Sequence, residues 1–358
     1  MRVLHLIDSL IQAGAEALLK DMVPRMRAHG VDVSVAVLKE LDSPFEQELR
    51  DKGIPFLPTA PGGIYSPGHL FNLRRHIPDF DVVHVYLFPA QLFAPVATNL
   101  AASKVPLLLS EGTPHHRRRK KWLHPLERWM YSQYGAVACA SEAIAASLKE
   151  WIPGIDSKVT VIENGIDVQK FQQAKPALRT SAGISNGNSV LLYVASLQPR
   201  KDHINLLRAM AQVSNADLLL VGDGDLRPQL ERLAESLGIA QRVHFLGRRN
   251  DVAELLKMAD IYVHPPAFEG FGIAAVEAMA AGKAIVATNV PGLAQVVGDA
   301  AVLVPPSEPV ALAAQISKLV KSRDQRERLS DLAAQRALTF SIDRTVSAYI
   351  DLYQSLLN

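Results

Sequence analysis

Short apolar runs alternate with segments of helical period along this chain, and the alternation runs through twice. Residues 3–7, 31–38, 82–87, 105–109, 136–140 and 159–162 are rich in Val, Leu, Ile and Ala over the length of a strand. Segments such as 15–29 and 142–151 between them space their apolar residues for a helix, which Pro24 is expected to kink. Runs that are apolar on both faces read as parallel strands covered by helices, hence βαβ units and a doubly wound sheet. After Asp167 the pattern breaks: residues 169–188 are polar, carry Pro176, Gly183 and Gly187, and read as a linker. Alternation then restarts, with strands at 190–195, 217–221, 243–246, 261–264, 284–287 and 301–304. The expected fold class is α/β, with domains at 1–168 and 189–340 and a final helical segment at 341–358. At roughly 150 residues per domain, 358 residues suit two domains. Ligands of open α/β sheets sit beyond the carboxyl ends of the strands, so a cleft between the domains is the expected site.

Composition narrows the class of function. A hydrophobic share of 48% and a charged share of 21% exclude disorder for the bulk of the chain. A formal charge of +2 gives no global field to gather nucleic acid, so no nucleic-acid partner is expected. The single cysteine, Cys139, cannot form an internal disulfide and lies in an apolar run, which reads as a buried, inert thiol in a reducing compartment. The first residues meet Asp8 too soon for a signal peptide, and the uncharged stretch 82–103 holds Pro89, Pro95, His84, Gln91 and Asn99, poor material for a membrane span. The expectation is a cytoplasmic protein resting on a membrane surface.

The run most informative about chemistry is residues 265–282, PPAFEGFGIAAVEAMAAG. A strand ends near His264, and a loop bearing Glu269 and two glycines then enters a helix. Glycines there let a ligand approach backbone N–H groups, and those groups with the helix dipole favour phosphate. Glu277 follows Glu269 by eight residues and lies inside the helix, so the two carboxylates can reach different parts of one ligand. A carboxylate that accepts from both ribose hydroxyls is a common use of such a position.

This segment resembles the E-x7-E motif of retaining glycosyltransferases of the GT-B fold, family 4, and the resemblance extends over essentially the whole chain. Ala13-Gly14-Ala15-Glu16 is similar to the family's N-terminal glycine loop, and residues 161–167, VIENGID, to its segment closing the first domain. Residues 197–201, LQPRK, 220–224, LVGDG, and 245–248, FLGR, match three more segments in order. Several ordered motifs at compatible spacing make a specific signal. The resemblance implies two Rossmann-like domains facing across a cleft, with residues 341–358 crossing back to the first. It implies transfer of a sugar from a UDP- or GDP-linked donor to a glycan or lipid-linked acceptor, with retention, in cell-surface polysaccharide synthesis. Arg200 and Lys201 would hold the diphosphate, aided by backbone N–H groups at Phe271, Gly272 and Ile273. Glu277 would bind the ribose, Glu269 the donor sugar, Arg248 would lie near the base, and the loop at Gly14 would close over the phosphates. An epimerase, a phosphorylase or a noncatalytic nucleotide-sugar-binding protein on the same architecture stays open; phosphate dependence and turnover separate them.

Two positions depart from the family pattern. Ala195-Ser196-Leu197 stands where G-R-L is usual, so Ser196 supplies no charge and Arg200 is the expected substitute. Gly112 stands where a histidine is usual; either His115 or His116, a few residues on, supplies the group, with His115 taken as the catalytic candidate, or the histidine function is absent. The basic run Arg117, Arg118, Arg119, Lys120, Lys121, followed by Trp122, suits an anionic membrane surface or a lipid-diphosphate acceptor. No spacing of His and Cys resembles a metal site, so no metal or other cofactor is expected.

Overall fold

The computed structural model describes residues 1–11, 14–113, 119–184 and 187–358. Two compact units emerge, Met1–Gly165 with Ile342–Asn358, and Ile166–Ser341. Each is a parallel sheet wrapped by helices.

The first unit holds β1 (Arg2–Ile7), β2 (Asp32–Val37), β3 (Phe56–Leu57), β4 (Val82–Tyr86), β5 (Leu107–Glu111), β6 (Ala136–Cys139) and β7 (Val159–Val161). Their order in the sheet is β3-β2-β1-β4-β5-β6-β7, all parallel. The strands are apolar on both faces because helices cover both, as the continuous runs require. The helix Gly14–Ala28 is continuous through Pro24. Cys139 is buried, and burial pushes its thiol far above the usual range. The helix Ile342–Leu357 presents Ile342, Val346, Tyr349 and Tyr353 to the core of this unit.

Under that helix lies a polar knot within an apolar core. The β1–β4 register sets His5 opposite His84. His84 Nδ1 lies 2.6 Å from the Tyr353 hydroxyl and 2.9 Å from that of Tyr86, and its Nε2 lies 2.7 Å from Ser110 Oγ. Ser110 in turn meets the Tyr349 hydroxyl at 2.8 Å. Burial holds His5 at about 3 and His84 well below 6.5. Both rings are neutral in the folded chain yet titrate near the ordinary value when it unfolds. Between about pH 6.5 and 3 the unfolded state therefore binds more protons. Their contribution to stability is complete above pH 6.5 and falls as the pH drops through that window. Glu16, whose carboxyl burial raises to about 7, works in the opposite direction. A His5→Phe variant separates the two. Denaturant unfolding from pH 6 to 4 is expected to show the wild type losing about 1.4 kcal/mol more per pH unit than the variant. Equal slopes would contradict the burial of a neutral His5.

The second unit holds β8 (Ser189–Val194), β9 (Ala216–Val221), β10 (Val243–Gly247), β11 (Ile261–His264), β12 (Ala284–Thr288) and β13 (Ala301–Val304). The order is β10-β9-β8-β11-β12-β13, again parallel throughout. Residues 169–188, expected to be a bare linker, are instead part of this unit where described. The helix Val168–Gln173 packs on the helices Val252–Met258 and Ile273–Ala280, and Val168, Phe171, Ala182 and Ile184 are buried. A few isolated apolar residues in a polar run carry no period, yet each fills a hole in a distant surface. Ile166 N–H donates to Phe340 C=O at 2.9 Å, closing the unit at its two ends.

Candidate active site

A parallel sheet brings the loops that follow all its strands to one edge, and in the second unit that edge gathers most of the expected residues. Ser196, Arg200 and Lys201 follow β8, Gly222 and Gly224 follow β9, Arg248 follows β10, and Glu269 to Ile273 follow β11. Glycine at 222 and 224 is dictated by contact. A Cβ on Gly222 would lie 2.1 Å from Ala195 C=O, and one on Gly224 would lie 2.6 Å from Leu197 C=O. The two loops thus lie backbone on backbone, joined by Leu197 N–H donating to Asp223 C=O at 3.0 Å.

The loop bearing Glu269 is pinned on several sides. Ala267 N–H donates to Arg200 C=O at 3.1 Å, Thr288 Oγ1 donates to Pro266 C=O at 2.6 Å, and Gly292 approaches Gly270 so closely that a Cβ would lie 2.2 Å from its C=O. Gly272, at φ +91, then turns the chain into the helix Ile273–Ala280. That left-handed position favours glycine, and a side chain there would meet Leu293. Gly272 offers no side chain to cap the helix, and Ala275 N–H already donates to Gly272 C=O at 2.9 Å, so the N–H groups of Ile273 and Ala274 and the partial positive charge of the terminus can serve an anion.

At the centre Lys201 Nζ forms an ion pair with Glu269 Oε2, their side chains 13% and 9% exposed. His264 Nε2 lies 3.3 Å from the same oxygen, and Tyr262 Oη lies 3.1 Å from His264 Nδ1. Burial pushes the Glu269 carboxyl up, but Lys201 and His264 more than reverse this and hold it far below the usual range. Burial lowers His264, an effect Glu269 only partly offsets, so the ring is neutral at physiological pH. The Tyr193 hydroxyl donates to Lys201 C=O at 2.9 Å. The result is a buried carboxylate and an ammonium beside an uncapped helix terminus, an arrangement able to hold both a phosphate and a sugar hydroxyl.

The chain's relatives place this geometry. Residues 13–170 match the family described as Glycosyltransferase Family 4, and residues 174–336 the one described as Glycosyl transferases group 1. The chain belongs to glycosyltransferase family 4. Among its relatives, an uncharacterised glycosyltransferase of Methanocaldococcus jannaschii is 32% identical over 234 residues, 61% of this chain and 60% of that protein. A D-inositol 3-phosphate glycosyltransferase of Corynebacterium urealyticum is 32% identical over 235 residues, 60% of this chain and 55% of that protein. The match thus spans less than two thirds of either relative. The structure of Anabaena Alr3699/HepE in complex with UDP-glucose superposes with a TM-score of 0.88 at 24% identity, covering 99% of this chain and 100% of that one. The fold of this family 4 member is accordingly GT-B, two Rossmann-like parallel-sheet domains.

The expected residues separate into three sets. Lys201 and Glu269 touch, and Arg200 joins their loops through its backbone while its guanidinium is exposed, Nε 3.3 Å from Gln198 Oε1. Ser196 and Glu277 are half-buried and Arg248 is exposed, each on the same unit. Phe271 turns inward against Phe340, so only its backbone can serve a ligand. Gly14 opens the first helix of the other unit. His115, His116, Arg117 and Arg118 lie outside the described residues. Arg119 donates to Ser147 Oγ at 2.7 Å, whereas Lys120, Lys121 and Trp122 are exposed. Trp122 is the middle residue of a 3-10 turn, Lys121–Leu123, and the α-helix His124–Ser132 follows it. Sequence reasoning missed Tyr262, His264, Thr288 and Gly292. The first two read as ordinary members of a strand, although histidine in an otherwise apolar run was a usable signal.

Proposed function

We propose that this family 4 member is a retaining glycosyltransferase that moves a sugar from a UDP- or GDP-linked donor to a glycan or lipid-linked acceptor in cell-surface polysaccharide synthesis. The observation that carries the reading is the Lys201–Glu269 pair set beside the uncapped N-terminus of Ile273–Ala280. Lys201, Arg200 and the backbone N–H groups from Phe271 to Ile273 take the diphosphate. Glu269 accepts from donor-sugar hydroxyls and Glu277 from the ribose. Cleavage of the bond between the sugar's anomeric carbon and the diphosphate builds negative charge on the leaving group, where fixed cations stabilise the transition state. The acceptor hydroxyl forms the new bond on the face the diphosphate leaves, and its proton passes to a diphosphate oxygen, so no protein nucleophile takes part. The family assignment and glycosyltransferase relatives at 32% identity support this reading.

The test is transfer from α-linked nucleotide sugars to a panel of glycan and lipid-linked acceptors, with the product anomer read by proton NMR. An α-linked product is expected. A β-linked product contradicts retention, and absence of transfer across the panel contradicts the enzyme assignment.

The membrane component of the proposal rests on the exposed surface of the 3-10 turn Lys121–Leu123 and the helix His124–Ser132 of the first unit. Trp122 is 73% exposed in the turn, Leu126 and Trp129 are 45% and 38% exposed on the helix, and Lys120, Lys121 and Arg128 are exposed beside them in sequence. Aromatic and aliphatic groups framed by cations match an anionic bilayer surface. Among the described residues no helix is long and apolar enough to cross a membrane. Flotation with vesicles rich in anionic lipid is expected to carry the protein, with at least a several-fold loss in Trp122→Ala/Trp129→Ala. Equal flotation of the variant, or equal binding to neutral vesicles, would contradict this surface.

A further inference from the structure

We propose that Tyr262 is a positioning residue: by donating to His264 Nδ1 it fixes the imidazole proton on Nε2, and that N–H holds the Glu269 carboxylate in the orientation that receives the donor sugar. The inference rests on the reading of Glu269 as the sugar-binding carboxylate.

The chain of donors runs in one direction because each member has a single proton to give. Tyr262 sits on β11 with its side chain fully buried. Burial keeps the phenol protonated, and its O–H points to His264 Nδ1 at 3.1 Å. A neutral imidazole that accepts at Nδ1 must carry its proton at Nε2. Nε2 is the atom 3.3 Å from Glu269 Oε2, where an ionised carboxylate can only accept. Tyr193 sets the ring from the side, edge to face with His264 at 5.4 Å.

The contacts of Glu269 with Lys201 and His264 both fall on Oε2. Oε1 is thereby presented as the acceptor for sugar hydroxyls. The opposite tautomer would put the Nε2 lone pair against Oε2 and release the carboxylate from one of its two restraints. Tyr262 thus acts through another residue and touches neither donor nor diphosphate.

The test has a readout independent of catalysis. Nitrogen-15 and carbon-13 NMR of labelled histidine, with the His264 ring assigned by a His264→Gln variant, is expected to show the neutral Nε2–H tautomer at and above neutral pH. Tyr262→Phe is expected to shift the ring toward Nδ1–H or a mixture. A wild-type ring in the Nδ1–H form, or one unchanged in Tyr262→Phe, overturns the proposal whatever the enzyme does. The kinetic arm is a double-mutant cycle. Tyr262→Phe is expected to lower kcat/KM for the nucleotide sugar about tenfold while leaving the Kd of the free nucleoside diphosphate within twofold. In the His264→Gln background, where an amide N–H donates without any tautomer, the same change is expected to cost less than twofold. Equal losses in both backgrounds would make Tyr262 a merely structural residue. Should no nucleotide sugar react with the wild type, the function reading fails, and the NMR arm still decides the tautomer.

Discussion

Lys201→Ala is expected to lower glycosyl transfer by about 10²–10³-fold, the loss typical when one fixed donor to a developing anion is removed. The ammonium is 13% exposed and already oriented by Glu269. It therefore needs little reorganisation to meet a diphosphate with its remaining N–H groups. The substitution also leaves Glu269 buried with the His264 contact still in place. Breaking a buried pair on one side destabilises by about 3–5 kcal/mol, and here the His264 contact should keep the effect toward the lower end. The two consequences separate with a second variant. Lys201→Ala/Glu269→Gln removes the uncompensated charge, so it should recover stability in chemical denaturation without recovering turnover. Wild-type turnover in Lys201→Ala would remove this lysine from the proposed chemistry.

Gly292→Ala should destabilise the second unit by about 1–3 kcal/mol and lower turnover at least tenfold, although the residue touches no proposed substrate group. Gly292 lies in the first turn of the helix Pro291–Val297. Replacing glycine by alanine within a helix normally stabilises by about 0.5–1 kcal/mol. Here the new Cβ would stand 2.2 Å from Gly270 C=O and 2.7 Å from Glu269 C=O. Backbone cannot rotate aside as a side chain can, so the loop holding Glu269 must shift. Gly63→Ala, with nothing within 4 Å of its Cβ, serves as the control and should be close to neutral. A stabilised, fully active Gly292→Ala protein would show that the close approach does not set the carboxylate.

The two doubly wound sheets were legible because their strands are buried on both faces, and such strands leave unbroken apolar runs in the sequence. Register was less legible: the fifth strand ends in Ser110 and Glu111, polar residues beyond the apolar run that announced it. Phe171, Ala182 and Ile184 were read as linker because single buried residues obey distant surfaces rather than a local period. At the site, the glycines and the paired carboxylates were visible as a motif, whereas the groups that orient them were not. Tyr262 and His264 alternate along a strand like any buried pair, and only the contact of His264 with Glu269 on the following loop gives their polar atoms a direction. Gly292 shows nothing in sequence to mark it as the partner of Gly270, since only folding brings their backbones together. The same holds for His84, whose polar ring on an apolar strand gave no side, and which the structure places in a core of tyrosine hydroxyls.

The most direct measurement is calorimetric titration of the wild-type protein and of Lys201→Ala with UDP, GDP and their common sugar conjugates. One nucleoside diphosphate series should bind the wild type, and its affinity should fall at least tenfold in the variant. Binding of neither series, or equal affinity in both proteins, would contradict a diphosphate site built on Lys201.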